Sequence, residues 1–357
     1  MLKYEKQFLL IFCLIFVIIL FFFFKIELSP DSKTYLRVSK SIVGFRSWTQ
    51  LPEPLYLMSY LIFKFISITN NFEIIFKCVN ALSFFLIIIF TLKILKHYEI
   101  KFNNHFEYIY FLILFFLNFD ILQWTKFALT DLLLLSLMMA AIYFFLINRY
   151  ITSIIIFLFS LLIKPQSIFI FFTLSFLFFF KKKKNRLFFS IYFCFYTILI
   201  LSIFCINNLN LGFDIYLIDV VDYIFVQKII DGNIVDDRYF VEFKNIFSIF
   251  KIYFLRFIYF FSIFFDQYSL NHKVYKVVYF ILIYFPIVAF IFQKKKKFDK
   301  NFFSFSIGCI VIISTFIILT FIDYDLRYRI YIYPFVIMIS TYCLIKMNIF
   351  KKSVLIT

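Results

Sequence analysis

Long apolar runs alternate along this chain with short knots of lysine and arginine, and no soluble fold can bury all of them. A helix needs about 20 residues to cross the hydrocarbon core of a bilayer. Runs close to that length stand at residues 8–24, 72–92, 106–122, 131–147, 187–206, 274–292, 302–321 and 330–345. Residues 151–180 make a longer run. As one helix it would measure about 45 Å, against a core of about 30 Å. Arg149 and the lysines at 181–184 flank it with positive charge on both sides. The run is therefore expected to reverse near Lys164-Pro165, which makes two short spans and about ten in all. The expected fold is all-α: a polytopic helical membrane protein, one membrane-embedded domain over residues 1–357 with elaborated outer loops at 25–71 and 207–273.

Charge fixes the expected orientation. With both termini inside, the inner loops collect 19 bases and four acids, which leaves 18 bases and 16 acids for the outer side. That asymmetry satisfies the positive-inside rule, and it explains the net charge of +17 without a nucleic-acid partner. The first run lacks a small-residue cleavage site and is expected to stay as a helix. Composition narrows the chemistry further. The four glycines are too scattered for a phosphate-cradling loop, which excludes glycine-built nucleotide folds. Six cysteines without a C-x-x-C pair argue against disulfide staples and zinc sites, and the three histidines stand alone. No cofactor is indicated, although the outer acids are close enough in sequence to leave room for a divalent metal.

Candidate chemistry falls in the outer segments. Ser29-Pro30-Asp31-Ser32 reads as a helix start, with Ser29 as N-cap, Pro30 in the first turn and Asp31 where the helix dipole favours a carboxylate. Asp31 is either such a helix-start acid or a catalyst held at the outer surface. Glu53 stands between Pro52 and Pro54, just before Leu55-Tyr56 and an apolar helix. Asp131 follows Thr130, a candidate cap, and precedes an uncharged apolar stretch; pairing with Lys126 is its plain alternative. An acid there is costly in hydrocarbon and should face a wet interior. Lys164 either snorkels or awaits an anionic ligand. Near the end, Arg327 and Arg329 stand beside Tyr331, and a guanidinium grips phosphate with a planar fork. Their plain alternative is pairing with Asp323 and Asp325, whose D-x-D spacing lacks the Rossmann setting of a metal–nucleotide motif.

In their order along the chain, these pieces resemble the GT-C superfamily of membrane glycosyltransferases, in the branch of protein O-mannosyltransferases and lipid A aminoarabinose transferases. The elements are Pro30-Asp31-Ser32 with Tyr35, Pro54-Leu55-Tyr56, Thr130-Asp131-Leu132, Lys164-Pro165, and Arg327-Tyr328-Arg329 with Pro334. The resemblance implies transfer of a sugar from a polyprenyl-phosphate donor to a glycan, lipid or protein acceptor on the outer face of the cell membrane. It implies Asp31 as base in an inverting single displacement, with Asp131 and Glu53 beside it. Lys164, Arg327, Arg329, Tyr35, Tyr56 and Tyr331 would hold the substrates, with no resident metal. The chain departs from the pattern in carrying Glu53 where a neutral residue or histidine is usual. It also shows only a short tail after residue 345. Two other readings compete. A glycan polymerase of the O-antigen type would share the span count and lipid-linked substrates but rely on arginines in two large loops. A transporter or flippase would show internal repeats and midplane charges.

Overall fold

The computed structural model describes residues 5–41, 57–68, 71–164, 167–181, 269–293, 298–320 and 326–347, with a few positions between 254 and 263. Among these residues the structure is helical, and the only extended pairing is an isolated bridge between Glu27 and Phe127. The elements are α1 (Glu5–Phe23), α2 (Pro30–Ser41), α3 (Leu57–Ile68), α4 (Phe72–His97), α5 (His105–Phe116) and α6 (Phe119–Thr125). They continue as α7 (Asp131–Leu146), α8 (Tyr150–Ile163), α9 (Ile168–Lys181), α10 (Leu270–Ile291), α11 (Lys300–Thr320), a 3-10 turn (Leu326–Tyr331) and α12 (Tyr333–Met347). The expected run at 187–206 and the loop up to residue 253 lie outside the described residues.

Packing is dominated by phenylalanine. Phe16 of α1 stacks on Phe84 of α4 with ring centroids 4.3 Å apart, and both rings meet Phe116 of α5. The opposite side of α1 leaves Leu10, Leu14 and Phe22 exposed, as a helix bathed in lipid would. Gly308 of α11 admits the Phe176 ring of α9, which a Cβ at that position would overlap. Tyr110 of α5 donates to the Leu282 carbonyl at 2.7 Å and shares a 2.8 Å hydrogen bond with Ser340, tying α5, α10 and α12 together.

Among the described residues, three helices are long and apolar enough to cross a membrane: Phe72–His97, Leu270–Ile291 and Lys300–Ile318. The pair His105–Phe116 and Phe119–Thr125, bent by 54°, makes a fourth if taken as one span. The all-helical architecture is compatible with a membrane protein. The expected spans at 106–122 and 330–345 need correction, because neither run is one continuous α-helix. Residues 106–122 do not form one helix: the Asn118 side chain accepts from the Ile121 amide at 2.9 Å and caps a new helix there. The run 330–345 begins instead as a 3-10 turn that gives way to α12.

The reversal expected near Lys164 is present. Phe157 and Phe171 lie seven residues either side of Lys164, and their ring centroids are 5.9 Å apart. In a continuous helix they would stand about 21 Å apart. The Lys164 backbone is extended, with φ −151° and ψ 130°. The chain folds back on itself at this residue.

The bundle has two ends of different character. At one, Phe8 meets His105, Tyr98 meets Phe302, and the Tyr342 hydroxyl accepts from the Asp299 amide; Lys93, Lys96, Lys101, Arg149, Lys300 and Lys346 are sited there. At the other, α2 meets the segment before α7, and α3 meets the end of α8 and the start of α4. All the buried ion pairs described below are at that second end.

Candidate functional site

Lys164 reaches from the fold-back between α8 and α9 to the first residue of α7. Its Nζ donates to Asp131 Oδ1 at 2.8 Å, and the two residues are 2% and 1% exposed. Tyr331, fully buried and packed on Phe169, donates to the same oxygen at 3.3 Å. Asp131 therefore does not pair with Lys126, which binds Glu27 at 3.3 Å instead. Thr130 precedes α7 but gives no side-chain cap; its hydroxyl meets Ser59 of α3 at 3.4 Å, and Ser59 donates to the Ile163 carbonyl at 2.7 Å. Among the described residues, one carboxylate and one ammonium face each other here, and burial costs least while both remain.

A second cluster is built around Asp120 of α6, a residue outside the candidates that the sequence offers. Asp120 Oδ1 accepts from Lys276 Nζ at 2.6 Å, and Oδ2 accepts from the Tyr333 hydroxyl at 2.5 Å. Arg329 Nε stands 3.9 Å from Oδ2, while its Nη1 donates to the Ser262 carbonyl at 2.5 Å. Asn118 positions this group from below: its Nδ2 donates to the Tyr279 hydroxyl at 2.8 Å, which donates on to the Leu114 carbonyl at 2.9 Å. Asp120, Lys276 and Arg329 line a cleft of about 60 Å³ whose walls include Phe260, Phe280 and Tyr284. That volume admits several waters or one phosphate-sized group. Among the described residues, two cations face the one carboxylate of Asp120 in this cleft.

The two clusters are joined through the 3-10 turn, since Arg329 serves one and Tyr331 the other. They are also joined to the helix bearing Asp31. Ser29 Oγ accepts from the Ser32 amide at 3.1 Å while the Ser29 amide donates to Ser32 Oγ at 3.2 Å, a reciprocal cap at the start of α2. Ser32 Oγ also donates to the Ala128 carbonyl at 2.6 Å. The preceding strand segment is held by Glu27, whose amide donates to Lys126 O at 2.8 Å and whose carbonyl accepts from Ala128 at 2.9 Å. The half-buried Asp31 thus sits on a helix fastened three residues before Asp131.

Several expectations from the sequence change accordingly. Lys164 is neither snorkelling nor awaiting a partner, because Asp131 occupies it. Arg329 is engaged with Asp120 and Ser262. Tyr35 packs in the core against Tyr60 and Phe63, and its buried ring serves α2–α3 packing. Glu53, Tyr56, Asp323 and Asp325 lie outside the described residues, and Arg327 is placed only by its backbone in the 3-10 turn. In the sequence, Asp120 and Lys276 each read as a stray charge at the edge of an apolar run. The signal was present in Asn118-Phe119-Asp120, a cap residue followed by an acid in the first turn of a helix. Among the described residues no three His, Cys, Asp or Glu side chains group as metal ligands.

No protein-family model, curated protein or solved structure compared with the chain matches it.

Proposed function

We propose that the chain is a multi-pass glycosyltransferase of the GT-C type, with about ten spans in the cell membrane and its site on the extracytoplasmic face. It would take a sugar from a polyprenyl-phosphate donor and pass it to a lipid-linked glycan or protein. The observation that carries the reading is the convergence at one end of the bundle of three elements: the helix of Asp31, the Asp131–Lys164 pair, and the cleft lined by Lys276 and Arg329. The donor phosphate would lie in that cleft, where fixed cations meet the negative charge that develops as the sugar leaves. Asp31 would accept the proton of the acceptor hydroxyl as its oxygen attacks the anomeric carbon. Asp131, held by Lys164 and Tyr331, would orient hydroxyls of the sugar, a role that Glu53 would share. No metal enters this scheme.

A transporter would also use buried acid–base pairs. Here they belong to helix ends: Asp131 opens α7 and Lys276 is in the second turn of α10. That placement favours a surface site over a pathway through the bilayer centre. The test is transfer of radiolabel from a panel of polyprenyl-phosphate sugars in membranes with and without the protein. Protein-dependent transfer lost in Asp31→Asn supports the proposal. Absence of transfer from every donor, with protein-dependent flux of a labelled solute, overturns it.

A further inference from the structure

The second helix carries a feature that the transferase reading does not use. Lys33, Arg37 and Lys40 are all exposed on α2 and fall within about 60° of one another around the helix axis. The opposite face, with Ser32, Tyr35 and Ser39, is buried. None of the three bases has an ion pair among the described residues. Among the described residues, the nearby acids do not offset the stripe. Glu27 is paired with Lys126, and Asp31 is half-buried on the helix flank.

The helix beneath has a different surface. On α3, Tyr60 and Phe63 are buried towards α2, whereas Leu61, Phe65 and Ile68 are exposed, the last two at 65% and 69%. Those positions form a single apolar stripe at i, i+4 and i+7. An exposed apolar stripe of this kind belongs in hydrocarbon. Packed helices have axes about 8–10 Å apart, and the headgroup zone of a bilayer is about 5–8 Å deep on each side. A polar helix packed on an embedded one is therefore held at the depth of the lipid phosphates.

We propose that the Lys33–Arg37–Lys40 stripe of α2 docks on the headgroups of anionic phospholipids in the surrounding leaflet. Charge complementarity selects the occupant, and the apolar stripe of α3 sets its depth. Bases near an anionic surface each contribute measurably to attraction that fades within a Debye length. The inference needs the bundle in a membrane but does not depend on the transferase reading.

The test uses the full chain in detergent micelles supplied with equal amounts of phosphatidylglycerol and phosphatidylcholine, with retained lipid read by native mass spectrometry. The wild type should retain phosphatidylglycerol preferentially. The triple variant Lys33→Gln/Arg37→Gln/Lys40→Gln should lose the preference, by about fivefold per base removed. Lys101→Gln/Lys346→Gln, at the other end of the bundle, should keep it. Should the triple variant unfold, Arg37→Gln alone supplies the reading, with a loss of about fivefold. Wild-type selectivity in the folded stripe variants overturns the proposal. So does stripe-dependent retention of inorganic polyphosphate without any lipid preference, which would assign the stripe to an aqueous polyanion.

Discussion

Lys164 and Asp131 meet at 2.8 Å although 33 residues separate them, and neither is open to solvent. A buried pair of this kind contributes little relative to apolar residues of the same volume, but it is costly to break. Removal of one partner leaves a charge in a site built for two. Asp131→Ala is expected to destabilise the protein by about 3–5 kcal/mol, read as a lower midpoint of thermal unfolding in detergent. Asp131→Leu/Lys164→Met should recover most of that loss while remaining inactive in transfer. A double variant as unstable as the single one would contradict the pairing.

Arg329 tests the cleft. Arg329→Lys keeps the charge but gives up the Nη1 bond to Ser262 and the planar fork. Charge-assisted hydrogen bonds are worth about 1.5–3 kcal/mol, so transfer should fall by about 10-fold to 100-fold with the fold retained. Lys276→Met should lower it as well, because Asp120 would then neutralise Arg329. Unchanged transfer in both variants would remove the phosphate from this cleft.

Asp31 is separable from the cap of its own helix. Ser29 and Ser32 make that cap, so Asp31→Asn should leave α2 and the thermal midpoint intact. Transfer should fall by about 10²–10⁴, as for loss of a general base. Ser32→Ala has the opposite signature. It removes the reciprocal cap and the bond to Ala128, and should cost about 1–2 kcal/mol of stability. Near-normal turnover in Asp31→Asn would return that acid to a helix-start role.

Gly308 offers a packing test away from the charged end. A methyl group there would overlap the Phe176 ring. Gly308→Ala should therefore destabilise by about 1–3 kcal/mol through overpacking. Adding Phe176→Leu should relieve part of the cost, so the double variant should be more stable than the sum of the two changes. Strict additivity would place the strain elsewhere.

Local signals were legible in the sequence, and partners at long range were not. Pro30 opens α2 and Asp131 opens α7, because a cap and an acid in a first turn act within a few residues, and the reversal at Lys164 follows from a run too long for one span with basic residues at both ends. The partner of Asp131 depends on which helix ends come together, and proximity in sequence pointed to Lys126. Likewise Asp120 and Lys276 are 156 residues apart, and neither reveals the other. The run at 106–122 looked continuous because a single Asn barely lowers hydropathy, yet one capping side chain suffices to start a new helix.

The α8–α9 fold-back carries a mechanical consequence for the lipid. Each arm has 14 residues and so measures about 21 Å, roughly 9 Å short of the hydrocarbon thickness of an ordinary bilayer. A bilayer around so short an element adapts by becoming thinner beside it. The leaflet next to Lys164 would be dimpled, and the dimple would lower the elastic cost for a long isoprenoid tail to rise from the lipid phase. Bilayer thickness would then act as a control variable: thicker synthetic membranes should slow the protein even when every residue of the site is intact.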